Sequence, residues 1–239
     1  MNRSILALAA AVAATSWPAV AMADLAFNVG AVSDYRYRGI SQTRLKPAIQ
    51  GGADFKSGGL YIGVWASTIK WIEDFGGDAK VEVDLYAGYK REFAPGMSYD
   101  FGVLRYEYPS NKLRPSANTT ELYGAFTYGP ATLKYSHAIT DTFANLNSKN
   151  SAYVDLSASF DVGGGVMLTP HVGYQKIAGP YNEVGSYADY SITVSKDFSG
   201  LVLSAALVGT DADKSFYSSP VNGKELGKAG LVVGAKFNF

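Results

Sequence analysis

Charged residues two apart recur in this sequence, and an extended chain puts such residues on one face. Arg36 and Arg38 form one such set, Arg44 and Lys46 a second, and Glu82 and Asp84 a third. Folding the chain back about Ser41 sets Arg38 opposite Arg44 and Arg36 opposite Lys46, so four cations share one wall. Like charges facing each other across strands destabilise the pairing. Such a patch is expected only where water, Asp34 or passing anions screen it. Glu82 and Asp84, two strands further along, supply an acidic wall. Opposed charged walls around a passage select ions by sign. Arg36, Arg38, Arg44, Lys46, Glu82 and Asp84 are therefore the expected pore-lining set, with a mild preference for anions.

Catalytic and metal chemistry has thinner support. The chain holds two histidines. Ser136 and His137 are adjacent, so on a strand they point to opposite faces and cannot form a dyad. Folding about Gly164 sets His171 opposite Ser157, with Asp155 and Asp161 on the same wall. A serine, a histidine and a carboxylate are the minimum for nucleophilic hydrolysis, so a hydrolase built into the wall is an alternative. The pair Asp211 and Asp213 has too few oxygen ligands for calcium. No catalytic residue, metal ligand or cofactor is expected.

These residues must be positioned by strands, because alternation with period two dominates the sequence. Val81, Val83, Leu85, Ala87 and Tyr89 alternate with Glu82, Asp84, Tyr86, Gly88 and Lys90. The segments 151–162 and 228–239 repeat the pattern. Twelve strands are expected near 25–38, 44–56, 60–70, 80–92, 97–108, 119–128, 131–139, 151–162, 166–176, 187–198, 201–210 and 228–239. The fifth slips phase at Val103-Leu104, which suggests a bulge, and the third and eleventh alternate weakly.

The connections decide the fold class. Ser57-Gly58-Gly59, Ala94-Pro95-Gly96, Gly129-Pro130, Gly163-Gly164-Gly165 and Ser199-Gly200 are tight turns. Between them lie six longer polar stretches, 39–43, 71–79, 109–118, 140–150, 177–186 and 211–227, in strict alternation. A soluble sandwich has no reason to keep its short turns at one end. A membrane barrel has short periplasmic turns and long outer loops. Aromatic residues cluster near both ends: Phe55, Phe93, Phe126 and Phe198 near tight turns, Trp71, Tyr108 and Tyr187 near long loops, as interfacial girdles require. The expected fold is all-β, a transmembrane antiparallel up-and-down barrel of twelve strands. Inward Tyr86, Tyr106, Tyr123 and Tyr153 would narrow its lumen.

Lysine plus arginine equals aspartate plus glutamate, at 21 each. The balance gives no argument for nucleic acid or for an anionic membrane surface. Without cysteine there is no disulfide framework. Residues 1–23 combine Arg3, the apolar run Ile5 to Ala14 and Ala21-Met22-Ala23. They are expected to be a cleaved signal peptide, leaving 24–239 as the barrel.

The segment Ser33-Asp34-Tyr35-Arg36-Tyr37-Arg38-Gly39-Ile40-Ser41-Gln42-Thr43 resembles the opening motif of the TorF-type porin family of bacterial outer-membrane β-barrels, and the strand ending in Phe237 and Phe239 resembles their closing one. The resemblance implies a Gram-negative outer-membrane location, an assembly signal read by the barrel-assembly machinery, and passive transport. It brings no substrate and no functional residues. The expected partners are outer-membrane lipid, lipopolysaccharide and small hydrophilic solutes, and the expected function is an outer-membrane channel for passive diffusion of those solutes. The alternatives are the hydrolase above and a structural or adhesive barrel with a blocked lumen.

Overall fold

A computed structural model describes residues 23–239, so the leader expected over 1–23 lies outside the described residues except for Ala23. Twelve wall strands follow in order: β1 Asp24–Val32, β2 Ala48–Ser57, β3 Leu60–Thr68, β4 Val81–Ala94, β5 Met97–Glu107 and β6 Thr119–Tyr128. After them come β7 Ala131–Ala138, β8 Ala152–Ala158 with its continuation Phe160–Asp161, β9 Val166–Lys176, β10 Tyr187–Phe198, β11 Leu201–Thr210 and β12 Gly230–Asn238. Each pairs antiparallel with its sequence neighbours. The sheet closes where β1 meets β12, with Ala31 opposite Ala235. Closure leaves no backbone edge unpaired, which a wall immersed in hydrocarbon requires.

Side-chain parity follows the expectation. Leu25, Ile49, Leu60, Leu207 and Leu231 point outward and are more than half exposed. They belong to a continuous outer band that would be a severe liability in water and is matched by lipid. The tight turns are built from residues that tolerate positive φ. Gly58 and Gly59, and likewise Ser199 and Gly200, all adopt it, which fits the right-handed twist of the flanking strands.

Three expectations are corrected. β1 stops at Val32 and β2 starts at Ala48, and Val32 pairs with Ala48, so the hairpin centred on Ser41 does not form in the wall. Arg38 therefore does not face Arg44, nor Arg36 Lys46. The cause is local: the Asp34 carboxylate accepts hydrogen bonds from Ser41 Oγ (2.5 Å) and Thr43 Oγ1 (3.1 Å). Those bonds draw residues 33–47 inward as a separate fold. Second, no bulge occurs at Val103-Leu104, which pair regularly with Ala87 and Tyr86; the register shift lies between Glu92 and Ala94. The apolar Leu104 faces inward because it packs against a buried cluster there. Third, β8 is interrupted at Ser159.

The apolar core lies inside the barrel at the long-loop end. One cluster joins Tyr35, Ile69, Ile72, Tyr106 and Tyr108; a second joins Ile40, Tyr187, Ala212 and Leu226. Both include residues of the inward segment. Deeper in the lumen, glycines face tyrosines across the wall. Gly63 pairs with Tyr86, Gly88 with Tyr61, and Gly102 with Tyr123. A methyl group on any of these glycines would strike the ring.

Candidate functional site

The site is a constriction made by the inward segment. Arg36–Tyr37 and Ile40–Ser41 form a two-rung hairpin, closed by Arg38 and Gly39. Arg38 and Gly39 both have positive φ, 45° and 79°, as a two-residue turn of this hand needs. Arg38 thus stands at the tip of a hairpin lying in the lumen.

Polar contacts tie the hairpin to widely separated parts of the wall. Arg36 donates from Nη1 to the carbonyls of Leu226 (2.9 Å) and Lys228 (3.1 Å), just before β12, and pairs through Nε with Asp34 at 2.5 Å. Arg38 donates to Glu121 on β6 at 2.7 Å and to Gln175 on β9 at 2.5 Å. Its guanidinium lies 4.3 Å from the ring centre of Tyr153 and 4.8 Å from that of Tyr37. Tyr35 donates its hydroxyl to Glu82 on β4 at 2.5 Å. Burial alone would pull the Arg38 pKa down. Glu121 and the neighbouring tyrosine hydroxyls outweigh that, and the net direction is upward.

The six residues singled out by spacing therefore divide. Arg36, Arg38 and Glu82 meet in or around the constriction, each engaged by a partner. Asp84 sits below Glu82, and its Oδ1 is buried without a hydrogen-bond partner among the described residues. Arg44 is at the outer mouth, paired with Asp74 of the short helix Trp71–Asp74 (Nε to Oδ2, 2.9 Å). Lys46 is exposed at the rim.

Below the hairpin the lumen is polar. Tyr61 donates to Asp100 at 2.5 Å and shares a hydrogen bond with Tyr123; Tyr86 donates to Asp54 at 2.7 Å. Lys134 Nζ lies 4.2 Å from the ring centre of Tyr123. Asp54, Glu82, Asp84, Asp100, Glu121, Asp155 and Asp189 thus face Arg38, Lys134 and His171. Glu121, Gln175 and Lys134 were not singled out from the sequence. Glu121 shares the inward parity of Tyr123, so its signal was present. Nothing local to Gln175 marks it as a partner of Arg38.

His171 does lie opposite Ser157 in the register. Its ring nitrogens meet carboxylates, however: Nε2 is 2.6 Å from Asp155 and Nδ1 is 3.6 Å from Asp189. Asp211 accepts from the Ala188 backbone N–H. Asp213 accepts from the Ser215 hydroxyl and the Phe216 N–H, which hold its carboxyl below the ordinary range. These two aspartates brace loops. Among the described residues no group of side chains is arranged to hold a metal.

A family model, described as a bacterial protein of unknown function and labelled Gcw_chp, matches residues 18–239. The chain belongs to the Gcw_chp family. That match does not extend to the TorF-type name. Among curated proteins no sequence matches this Gcw_chp chain. Solved structures resemble it in fold. One is the KdgM porin in complex with disordered oligogalacturonate, at TM-score 0.57 and 8% identity, covering 91% of this chain and 99% of that one. Another comes from work on the in-meso crystallisation of membrane proteins, at TM-score 0.55 and 8% identity, covering 90% of this chain and 83% of that one. The Gcw_chp chain has a closed twelve-strand antiparallel barrel that resembles those of porins in fold.

Proposed function

We propose that this barrel conducts small hydrophilic solutes passively across the outer membrane, through a lumen narrowed by the Arg38 hairpin. The observation that carries the reading is the division of the wall: apolar and lipid-matched outside, charged and hydroxyl-rich inside, around a seat held by polar bonds. The resemblance of Ser33–Thr43 to the TorF-type opening motif points the same way. So does His171, whose nitrogens serve carboxylates and not Ser157; this favours a channel over a hydrolase. The KdgM neighbour is described with oligogalacturonate, but at 8% identity the likeness speaks for the fold alone.

The sign of selectivity follows the ion pairs. An anion preference needs Arg36, Arg38 and Arg44 free, and each has a carboxylate partner. Asp54 and Asp84 lie below them on the inward face, and Asp100 stands opposite Lys90. We therefore favour a weak cation preference over the anion preference expected from spacing. Refolded protein in a planar bilayer tests both parts. Discrete conductance steps, and a reversal potential of cation sign in a salt gradient, are the expected result. A silent membrane at verified insertion would sink the channel, and an anion-signed potential would sink the selectivity.

A further inference from the structure

Above the hairpin the long loops enclose a cavity of about 570 Å3. Its aromatic lining comes as two clusters. In the first, Trp71 and Tyr108 meet edge to face at 5.2 Å, and Tyr37 meets Phe143 in the same way at 5.3 Å. In the second, Tyr187 and Phe216 each pack edge to face on Tyr217 at 5.0 Å. The first is drawn from the β3–β4 and β7–β8 loops, the end of β5 and the hairpin, the second from the start of β10 and the β11–β12 loop. Tyr108 and Tyr187 are themselves buried, and the edge-to-face contacts hold the half-buried rings of Tyr37, Trp71, Phe143, Phe216 and Tyr217 at the cavity wall without further loss of side-chain freedom.

The polar lining is neutral with one exception. Ser41, Gln42, Asn145 and Ser218 line the cavity, no carboxylate does, and Arg114 is the one charged side chain among the lining residues. Gln42 commits an amide N–H to the Ile40 carbonyl (2.9 Å), and Asn145 commits its own to the Thr142 carbonyl (2.9 Å). Each keeps its amide oxygen as an acceptor.

We infer that this vestibule is a binding site for an uncharged saccharide of one or two rings. The C–H face of a sugar ring carries partial positive charge and is attracted to the negative face of an aromatic ring, while sugar hydroxyls donate to amide oxygens. A cation would find no counter-charge here, and an anion only Arg114. The volume lies within the range of about 300–1,000 Å3 usual for small-ligand sites. The site lies above the constriction, so occupancy does not require the lumen to conduct.

The test uses the refolded 24–239 barrel, which lacks Trp17, in detergent with Trp65 replaced by phenylalanine, so that Trp71 is its one tryptophan and reports the vestibule. Maltose, sucrose and glucose are titrated beside sodium benzoate and sodium galacturonate, with equilibrium dialysis of labelled maltose as a second readout. Saturable quenching or a shift of Trp71 emission by at least one neutral sugar is the expected result. Tyr217→Ala should weaken it about tenfold, the equivalent of one lost aromatic contact, with barrel migration on a cold gel unchanged. No saturable response to any neutral sugar in either readout overturns the site. Saturation by benzoate alone also overturns it, in favour of an aromatic acid. A barrel that binds maltose yet passes no current keeps this site and removes the channel.

Discussion

Arg38 and Glu121, 83 residues apart in the chain, meet at 2.7 Å inside the barrel with both side chains almost wholly buried. One comes from a hairpin that has left the wall, the other from a strand within it. The contact fixes the hairpin tip against β6.

Breaking that pair should widen the passage. Arg38→Gln leaves Glu121 buried without its cation, an arrangement that costs about 3–5 kcal/mol when one partner of a buried pair is removed. The hairpin should relieve the cost by unseating. Single-channel conductance is then expected to rise, with the double variant Arg38→Gln with Glu121→Gln falling back toward the parent. An unchanged conductance in the single variant would mean that the hairpin does not limit flow.

Selectivity should depend on Asp84. It lies below Glu82, deeper in the lumen, and no hydrogen bond occupies its Oδ1 among the described residues. Asp84→Asn is expected to move the reversal potential toward zero, with a larger shift in dilute salt, since fields are screened beyond about 8 Å at physiological ionic strength. A shift of equal size at every salt concentration would point to a structural effect instead.

Topology can be read on intact cells. The chain has no cysteine, so single cysteines report cleanly. Cysteines replacing Ser116 and Ser218 in long loops should react with an impermeant maleimide from outside, and one replacing Ser199 in a tight turn should not. The reverse pattern would invert the barrel.

The glycine and tyrosine pairs make a stability prediction. Gly102→Val places a branched side chain against the Tyr123 ring and the β4 backbone, where even a methyl has no room. Overpacking of this kind costs about 1–3 kcal/mol. A lower urea midpoint of refolding is expected, and Tyr123→Ala on top of it should recover part of the loss. No recovery would place the clash on the backbone alone.

How much of this was legible depends on how local the cause is. The wall strands were legible because lipid outside and water inside enforce strict alternation, and β4 shows it from Val81 to Lys90. β3 and β11 alternate weakly for a structural reason. The inward set of β3 includes Gly63 and Trp65, and that of β11 includes Val202, Ala206 and Val208, so hydropathy does not separate their faces. The pairing of Ser157 with His171 followed from the turn centre alone. The inward hairpin did not. Its residues keep the period of a strand, and only the Asp34 bonds to Ser41 and Thr43, together with the distant carbonyls of Leu226 and Lys228, decide that the segment leaves the wall. Contacts across 190 residues have no local signature.

That same bond sets an order of events during assembly. Arg36 is anchored by backbone just ahead of the last strand, and the bonds across the β1–β12 seam close the ring. Until that final stretch arrives, the carbonyls that hold Arg36 are not in place. A barrel caught part-way through construction would therefore be wider than the finished one, and the narrowing is acquired with the last hydrogen bonds of the wall.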